Sequence, residues 1–179
     1  MTVLTENTTR ASDPIQIGDR VPDATLRESL EFGEACPVSP TLVSVAEAAA
    51  GKRIALFCVP GAFTGTCSAK HLPGYLLRLD ALRARGVDEV WCVSVNDGYT
   101  MAAWGRDRDA LGKIRMLGDG NGEFALKAGL QVDSSRSGMG LRLRRCSMLL
   151  EDGIVTRLNI EQPGKFEVSD ADTLLSQLE

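Results

Sequence analysis

The run Ile54-Ala55-Leu56-Phe57-Cys58-Val59 is apolar at every position, the pattern of a strand covered on both faces rather than one with a wet side. Pro60 and Gly61 end it, and Thr64 or Thr66 offers a hydroxyl to cap a helix that starts around Cys67. A strand buried on both faces needs helices above and below it, so this junction points to a layered α/β chain. It also sets a thiol in the first turn of a helix, where unpaired backbone N–H groups and the positive end of the helix dipole favour thiolate. No Asp or Glu occurs between Lys52 and Leu79, although 24 of the 179 residues are acidic. The local field is therefore positive, and Cys67 reads as a reactive cysteine.

The rest of the chain alternates strands and helices without a repeat or a dividing linker. Ser44-x-x-Glu47 is a capping box leading into Ala48-Ala49-Ala50, with Gly51 as the stop. Leu72, Leu76, Leu79 and Leu82 recur at helical spacing up to Gly86, and Pro73 within them should kink or restart the helix. Glu89 to Val95 reads as a second buried strand, after which Asn96 or Asp97 caps a helix carrying Met101 and Trp104 on one face. Arg145–Leu150 and Ile154–Ile160 flank Glu151-Asp152-Gly153, a hairpin signal. Ser169-x-x-Asp172 should cap a last helix with Ala171, Leu174, Leu175 and Leu178 inward. The expected order is β, α, β, α, β with a terminal β-hairpin and helix, helices lying on both faces of the sheet.

Composition bounds the function classes. The length suits one domain over residues 15–179, with a flexible tail over 1–14. A net charge of −4 argues against nucleic acid and against a polybasic membrane anchor. No apolar run approaches the length of a bilayer span, and the polar start of the chain resembles neither a secretory signal nor a transit peptide. Five cysteines without a Cys-x-x-Cys pair fit a reducing, cytoplasmic setting rather than a disulfide framework.

Pro60-x-x-x-Thr64-x-x-Cys67 resembles the active-site signature of the peroxiredoxins, cysteine-dependent hydroperoxide reductases. The longer string Val59-Pro60-Gly61-Ala62-Phe63-Thr64, then Cys67-Ser68-x-x-His71-x-Pro73-Gly74, is similar to their type-five, or plant type II, branch. Further blocks match in order: Ser94-Val95-Asn96-Asp97, Trp104-Gly105-Arg106, Arg144-Arg145-x-Ser147-Met148, Asp152-Gly153-Ile154-Val155 and Asn159-Ile160-Glu161. The resemblance spans roughly Ile17 to Leu178. It implies a thioredoxin-like fold with a central mixed sheet, a homodimer, no metal or organic cofactor, and hydroperoxide substrates. Glutaredoxin with glutathione, or thioredoxin, is the implied reductant.

Peroxide reduction requires a thiolate to attack one oxygen while the other leaves with developing negative charge. A free thiol of pKa near 8.5 is about 3% ionised at neutral pH, so full ionisation gains roughly 30-fold. Most of the acceleration must come from donors aimed at the O–O bond, worth roughly 100- to 1000-fold each in oxyanion sites. Thr64 can hold the nucleophile with its hydroxyl, the N–H groups of Thr66 and Cys67 point to the same place, and Pro60 and Gly61 shape the substrate contact. A second acid-free stretch, Ser134 to Leu150, holds Arg136, Arg142, Arg144 and Arg145. Arginine suits the task because it stays charged and donates in a fixed plane; the resemblance selects Arg145 as the third catalytic residue beside Cys67 and Thr64.

Other cysteines read as structural: Cys58, Cys92 and Cys146 as small core hydrophobes, Cys36 as an exposed loop residue. His71, the sole histidine, lies four residues after Cys67, but without a Cys-x-x-Cys pair or a second His a zinc site is hard to assemble, and one helical turn sets the ring above the thiol rather than beside it as a Cys–His hydrolase needs. Gly118-Asp119-Gly120-Asn121-Gly122 reads as a turn, lacking the Gly-Lys-Ser/Thr of a phosphate loop. Gly65 stands where type-five members usually carry proline. Lys165-Phe166-Glu167-Val168 lacks the late resolving cysteine of many animal relatives, which places the chain nearer plant and bacterial members and argues against an internal disulfide from Cys67. A redox sensor or holdase without turnover, and a thioredoxin-like disulfide oxidoreductase, are the competing readings.

Overall fold

The computed structural model describes residues 13–178. The tail expected over residues 1–14 falls, up to residue 12, outside the described residues, and Ile15 is already buried, its N–H donating to the Ala128 carbonyl at 2.8 Å.

In chain order the strands are β1 Thr25–Glu28, β2 Thr41–Ser44, β3 Arg53–Cys58, β4 Glu89–Ser94, β5 Arg115–Gly118, β6 Gln131–Asp133, β7 Leu141–Leu143, β8 Cys146–Glu151 and β9 Ile154–Ile160. The helices are α1 Val45–Ala49, α2 Leu72–Ala84, α3 Gly98–Asp107, α4 Glu123–Lys127 and α5 Ala171–Ser176, with a π turn over Cys67–His71 leading into α2. One sheet runs in the order β2-β1-β5-β4-β3-β8-β9, while β6 and β7 pair separately. Parallel pairing of β3 with β4 and of β4 with β5, against antiparallel β3–β8, β8–β9 and β1–β2, makes the sheet mixed. This is the thioredoxin-like α/β architecture.

Period-two alternation divides the core. Ile54, Leu56 and Cys58 of β3 join Val45 and Ala49 of α1 and Phe124 of α4 in one layer. Ala55 and Phe57 join Leu72, Tyr75, Leu79 and Leu82 of α2, Met101 and Trp104 of α3, and Ala171 and Leu174 of α5 in the other. The continuous apolar run of β3 thus reflects helices on both faces.

Several local expectations are met. Ser44 Oγ accepts from the Glu47 N–H at 3.2 Å and caps α1. Asp97 caps α3 by accepting from the Thr100 N–H at 2.8 Å. Asp152 (φ 50°) and Gly153 (φ 75°) both take the left-handed conformation that a two-residue hairpin between β8 and β9 demands. In the 118–122 turn, Asp119 accepts from the N–H groups of Phe124 and Ala125 at 3.0 and 2.9 Å, so a carboxylate of the chain itself holds the anion position. One cap differs from expectation. Asp170, not Ser169, caps α5, accepting from the Thr173 N–H at 2.9 Å. Ser169 is buried, and its hydroxyl donates to Glu161 Oε1 at 2.9 Å.

Candidate active site

The segment after β3 is held from several sides. The Ala62 N–H donates to Asn96 Oδ1 at 3.0 Å, and the Ser94 hydroxyl donates to the same oxygen at 2.7 Å. A Cβ on Gly61 would lie 3.0 Å from Thr64 Cγ2 and 3.2 Å from Met139 Cε, so this turn closes around a residue without a side chain. Phe63 takes a left-handed φ of 59°, a conformation a bulky residue rarely adopts, and is exposed. The Ser68 N–H donates to the Thr64 carbonyl at 3.0 Å, so Thr64 occupies the cap position through its backbone.

Neither threonine caps through its hydroxyl, contrary to expectation. The Thr64 hydroxyl donates its single proton to the Gly61 carbonyl at 2.7 Å, and Thr66 makes no side-chain cap bond. Thr64 therefore tightens the turn and has no proton left to donate to the Cys67 sulfur. The helix opens with the π turn Cys67–His71, in which the Leu72 N–H donates to the Cys67 carbonyl. The α-helix restarts at Leu72 with Pro73 in its first turn, where a missing N–H costs nothing. Trp104 Nε1 donates to Ser68 Oγ at 3.0 Å and pins this turn to α3.

Cys67 is 1% exposed. Arg145, the residue before β8, donates from Nη2 to Cys67 Sγ at 3.3 Å; Arg142 instead donates to the carbonyls of Val95 and Met139 at 2.9 and 2.8 Å. Among the hydrogen bonds of the described residues, the N–H groups of Thr66 and Cys67 have no partner, as the first turn of a helix requires.

His71 holds the other arm of the guanidinium. Arg145 Nη1 lies 3.0 Å from His71 Nδ1, and His71 Nε2 lies 3.0 Å from the Ser169 carbonyl. Burial, with the Arg145 charge second, lowers its pKa from 6.5 to about 3. The ring is therefore neutral; its partners assign the hydrogen to Nε2, which donates to Ser169, and leave Nδ1 to accept from Arg145. Phe57 and Phe166 pack against the ring at 4.9 Å each. Glu161 Oε1 in turn accepts from the N–H groups of Glu167, Val168 and Ser169, each at 2.8 Å. Burial pushes the Glu161 pKa up, and these donors more than offset it, leaving the carboxyl below its usual range. A chain of contacts thus runs from Glu161 through the 167–169 loop and His71 to Arg145 and the sulfur.

Thr66, next to Cys67 in the chain, and Arg145, bonded to its sulfur, line a pocket of about 290 Å³ together with Pro60, Arg144 and Phe166. Gly61, expected at the substrate contact, is not among the residues lining this pocket, and its carbonyl accepts from the Thr64 hydroxyl.

Cys58, Cys92 and Cys146 are buried and Cys36 is exposed; all five cysteines are free. Cys92 shares the layer of Cys67, and burial, then the Cys67 charge, pushes its thiol well up. Cys58 faces Cys146 across β3–β8 in the opposite layer; the bond to Cys146 and burial raise its thiol likewise.

The positions of His71 and Glu161 were visible in sequence, but their roles were not. Weighed and set aside as a zinc ligand or base, His71 instead meets Arg145 and the Ser169 carbonyl; its place in the Cys67–Gly74 string marked it without a role.

The redoxin family model matches residues 16–175. Peroxiredoxin-2B of Arabidopsis thaliana is 43% identical over 165 residues, 92% of this chain and 99% of that one. Reduced Prx3 of Vibrio vulnificus, solved in complex with hydrogen peroxide, superposes with a TM-score of 0.85 at 44% identity, covering 92% of this chain and 99% of that one. Peroxiredoxin 5 of Alvinella pompejana gives a TM-score of 0.79 at 31% identity over 92% and 98% of the two chains. With the matched family, the fold and a cysteine set at the start of a helix in agreement, the chain belongs to the peroxiredoxins, oxidoreductases that act as thiol-dependent peroxidases.

Proposed function

We propose that Cys67 is the peroxidatic nucleophile, that it reduces hydrogen peroxide and organic hydroperoxides, and that an external thiol regenerates it. The observation that carries this reading is a charged N–H of Arg145 3.3 Å from Cys67 Sγ, at a helix start where the Thr66 and Cys67 N–H groups have no partner among the described residues. The thiolate lone pair attacks the terminal peroxide oxygen, an S–O bond forms and the O–O bond breaks. The alkoxide or hydroxide leaves toward the Arg145 guanidinium and the N–H groups, then takes a proton from water in the pocket. Sulfur is oxidised by two electrons to the sulfenic acid, and the peroxide is reduced to an alcohol or water. Arg145 serves as the electrostatic donor and His71 as its positioning residue; Thr64 shapes the turn. The hydrogen peroxide complex of the Vibrio relative supports the substrate assignment.

An external reductant fits the cysteine chemistry. Cys92 is fully buried and its raised pKa keeps it a thiol, a poor nucleophile toward a sulfenate. Glutaredoxin with glutathione, or thioredoxin, fills the role in this reading, and reduced free thiols suit the cytoplasm. Phe63, exposed and held at a left-handed φ beside the site, supports a homodimer that covers this face.

Single Cys→Ser variants assayed with a saturating thiol reductant test the mechanism. Cys67→Ser should abolish peroxide turnover, while Cys36→Ser and Cys92→Ser should retain it. Activity surviving in Cys67→Ser, or lost as completely in Cys92→Ser, would falsify the single-nucleophile mechanism. Parallel reconstitution with glutaredoxin and thioredoxin systems identifies the reductant.

A further inference from the structure

The pocket beside Cys67 exceeds the needs of hydrogen peroxide. Its volume of about 290 Å³ equals that of about ten water molecules at ~30 Å³ each, whereas hydrogen peroxide adds one heavy atom to a water. The lining is amphipathic, combining Val132, Leu143 and Phe166 with the cations Arg144, Arg145 and Lys165. Its acid, Glu161, has Oε1 committed to three backbone N–H groups and the Ser169 hydroxyl.

The cations differ in how far they are satisfied. Arg145 is held by His71 and Cys67. Lys165 sits 3.6 Å from Glu167 in a solvent-exposed pair. Arg144 is half-buried and, among the described residues, has no carboxylate within ion-pair distance. Its hydrogen bond to the Glu161 carbonyl, at 3.4 Å, occupies one of the five N–H donors of a guanidinium. A planar donor set without an anion, next to an apolar wall and one residue from the arginine on the sulfur, matches a carboxylate on a short hydrocarbon.

We propose that Arg144 anchors the carboxylate of an amphipathic organic hydroperoxide whose chain lies along Val132, Leu143 and Phe166 while its peroxide group reaches Cys67. This rests on the peroxidase reading above and names a substrate class for it. The carboxylate is unchanged in the reaction; the O–O bond breaks as before, giving the sulfenic acid and a hydroxy acid. A carboxylate also arrives on small thiols such as glutathione. The pocket is open while Cys67 is packed at 1% exposure with Arg145 on its sulfur, the arrangement that meets peroxide; a bulky thiol needs the sulfur turned outward. The hydroperoxide is therefore the assigned occupant.

The test uses rapid mixing of the reduced full-length protein with a short-chain hydroperoxy carboxylic acid, its methyl ester and hydrogen peroxide as internal standard. The acid should react about 3- to 10-fold faster than the ester, the range for a partly exposed arginine–carboxylate contact. That ratio should fall toward one at high ionic strength and in Arg144→Gln, and Arg144→Lys should keep part of it. A wild-type ratio of one, or a ratio unchanged in Arg144→Gln, overturns the assignment. A second arm measures reduction of the preformed sulfenate by glutathione and by its diester. If Arg144→Gln changes discrimination only there, the carboxylate site belongs to the reductant and the proposal is overturned. Failure of the wild type with all three oxidants, hydrogen peroxide included, removes the peroxidase reading itself and the proposal with it.

Discussion

Acidification from pH 7.5 to pH 5.0 should destabilise the protein by about 2 kcal/mol through His71 alone. The unfolded chain binds a proton at this residue near pH 6.5, whereas burial and Arg145 hold the native value at about 3. The native pKa is depressed, so the native state refuses a proton that the unfolded state accepts, and stability falls as pH falls between the two values. At pH 5.0 the unfolded histidine is almost fully protonated and the native one almost wholly neutral, which yields the 2 kcal/mol by linkage. Across the whole interval, 6.5 − 3 = 3.5 units at about 1.4 kcal/mol each, the loss reaches roughly 5 kcal/mol. Glu161, Glu89 and Asp97 also have lowered values and act in the same direction, but their unfolded values of 4.5, 4.5 and 3.8 put most of their effect below the chosen window.

Urea denaturation at several pH values, on the wild type and on His71→Asn, isolates this contribution. Asparagine can still present an oxygen toward Arg145 but has no proton to gain. It should lower stability at every pH through lost ring packing against Phe57 and Phe166, yet flatten the slope between pH 7.5 and 5.0. Because the chain has one histidine, its ring resonances report the site directly and should not titrate between pH 5 and 8 in the native protein. A native midpoint near 6.5, or equal slopes in the two proteins, would refute the buried neutral ring and the Arg145 contact inferred from it.

Arg145→Lys keeps a charge but loses the planar fork that spans His71 and Cys67. Its peroxide reactivity should stay roughly 100-fold or more below wild type across the pH range; full recovery at high pH would reduce the role of Arg145 to ionisation. After one equivalent of peroxide, mass spectrometry should find a Cys67 sulfenic acid trappable by a dimedone-type reagent, and a dominant internal Cys67–Cys92 bridge would contradict the external-reductant reading. Gly65→Pro should raise Tm by roughly 1–4 °C, from a gain of about 0.4–1 kcal/mol. A Cβ there meets nothing within 4 Å, and the residue follows the cap position, where proline is favoured. A lowered Tm would show that this turn needs an angle proline cannot take.

What was legible in the sequence was local. The β3 run, the Ser44 capping box, the Asp152-Gly153 hairpin and the restart at Pro73 depend on residues a few positions apart, and each formed as its pattern directs. The last cap was misassigned because Ser169 and Asp170 both fit the pattern, and the competition was settled by Glu161, which takes the Ser169 hydroxyl. The β1–β2 pair and β5 were missed: each strand is four residues long, and Thr41 and Leu42 face solvent at the sheet edge, so no alternation marks them. At the site, the acid-free stretch pointed to a cluster of arginines but could not choose among them. The choice is made by partners 74 and 78 residues away, His71 and Cys67, and such contacts leave no periodic trace.

In the proposed mechanism the same contacts join the two halves of the catalytic cycle. Attack on peroxide requires Arg145 fixed at the sulfur, and His71 fixes it by bridging Arg145 and the Ser169 carbonyl. Reduction of the sulfenic acid requires that a sulfur 1% exposed be turned outward. Cys67 and His71 are the two ends of one π turn, so unwinding that turn moves the histidine off the arginine as it releases the sulfur. A π turn is rare and recurs at functional sites, and in this reading it is the segment that opens. Trp104 on Ser68 and the Glu161 latch on the 167–169 loop oppose that opening. The bonds that speed oxidation are thus the ones that must break for reduction, and tightening them should shift the slow step of turnover toward the reductant.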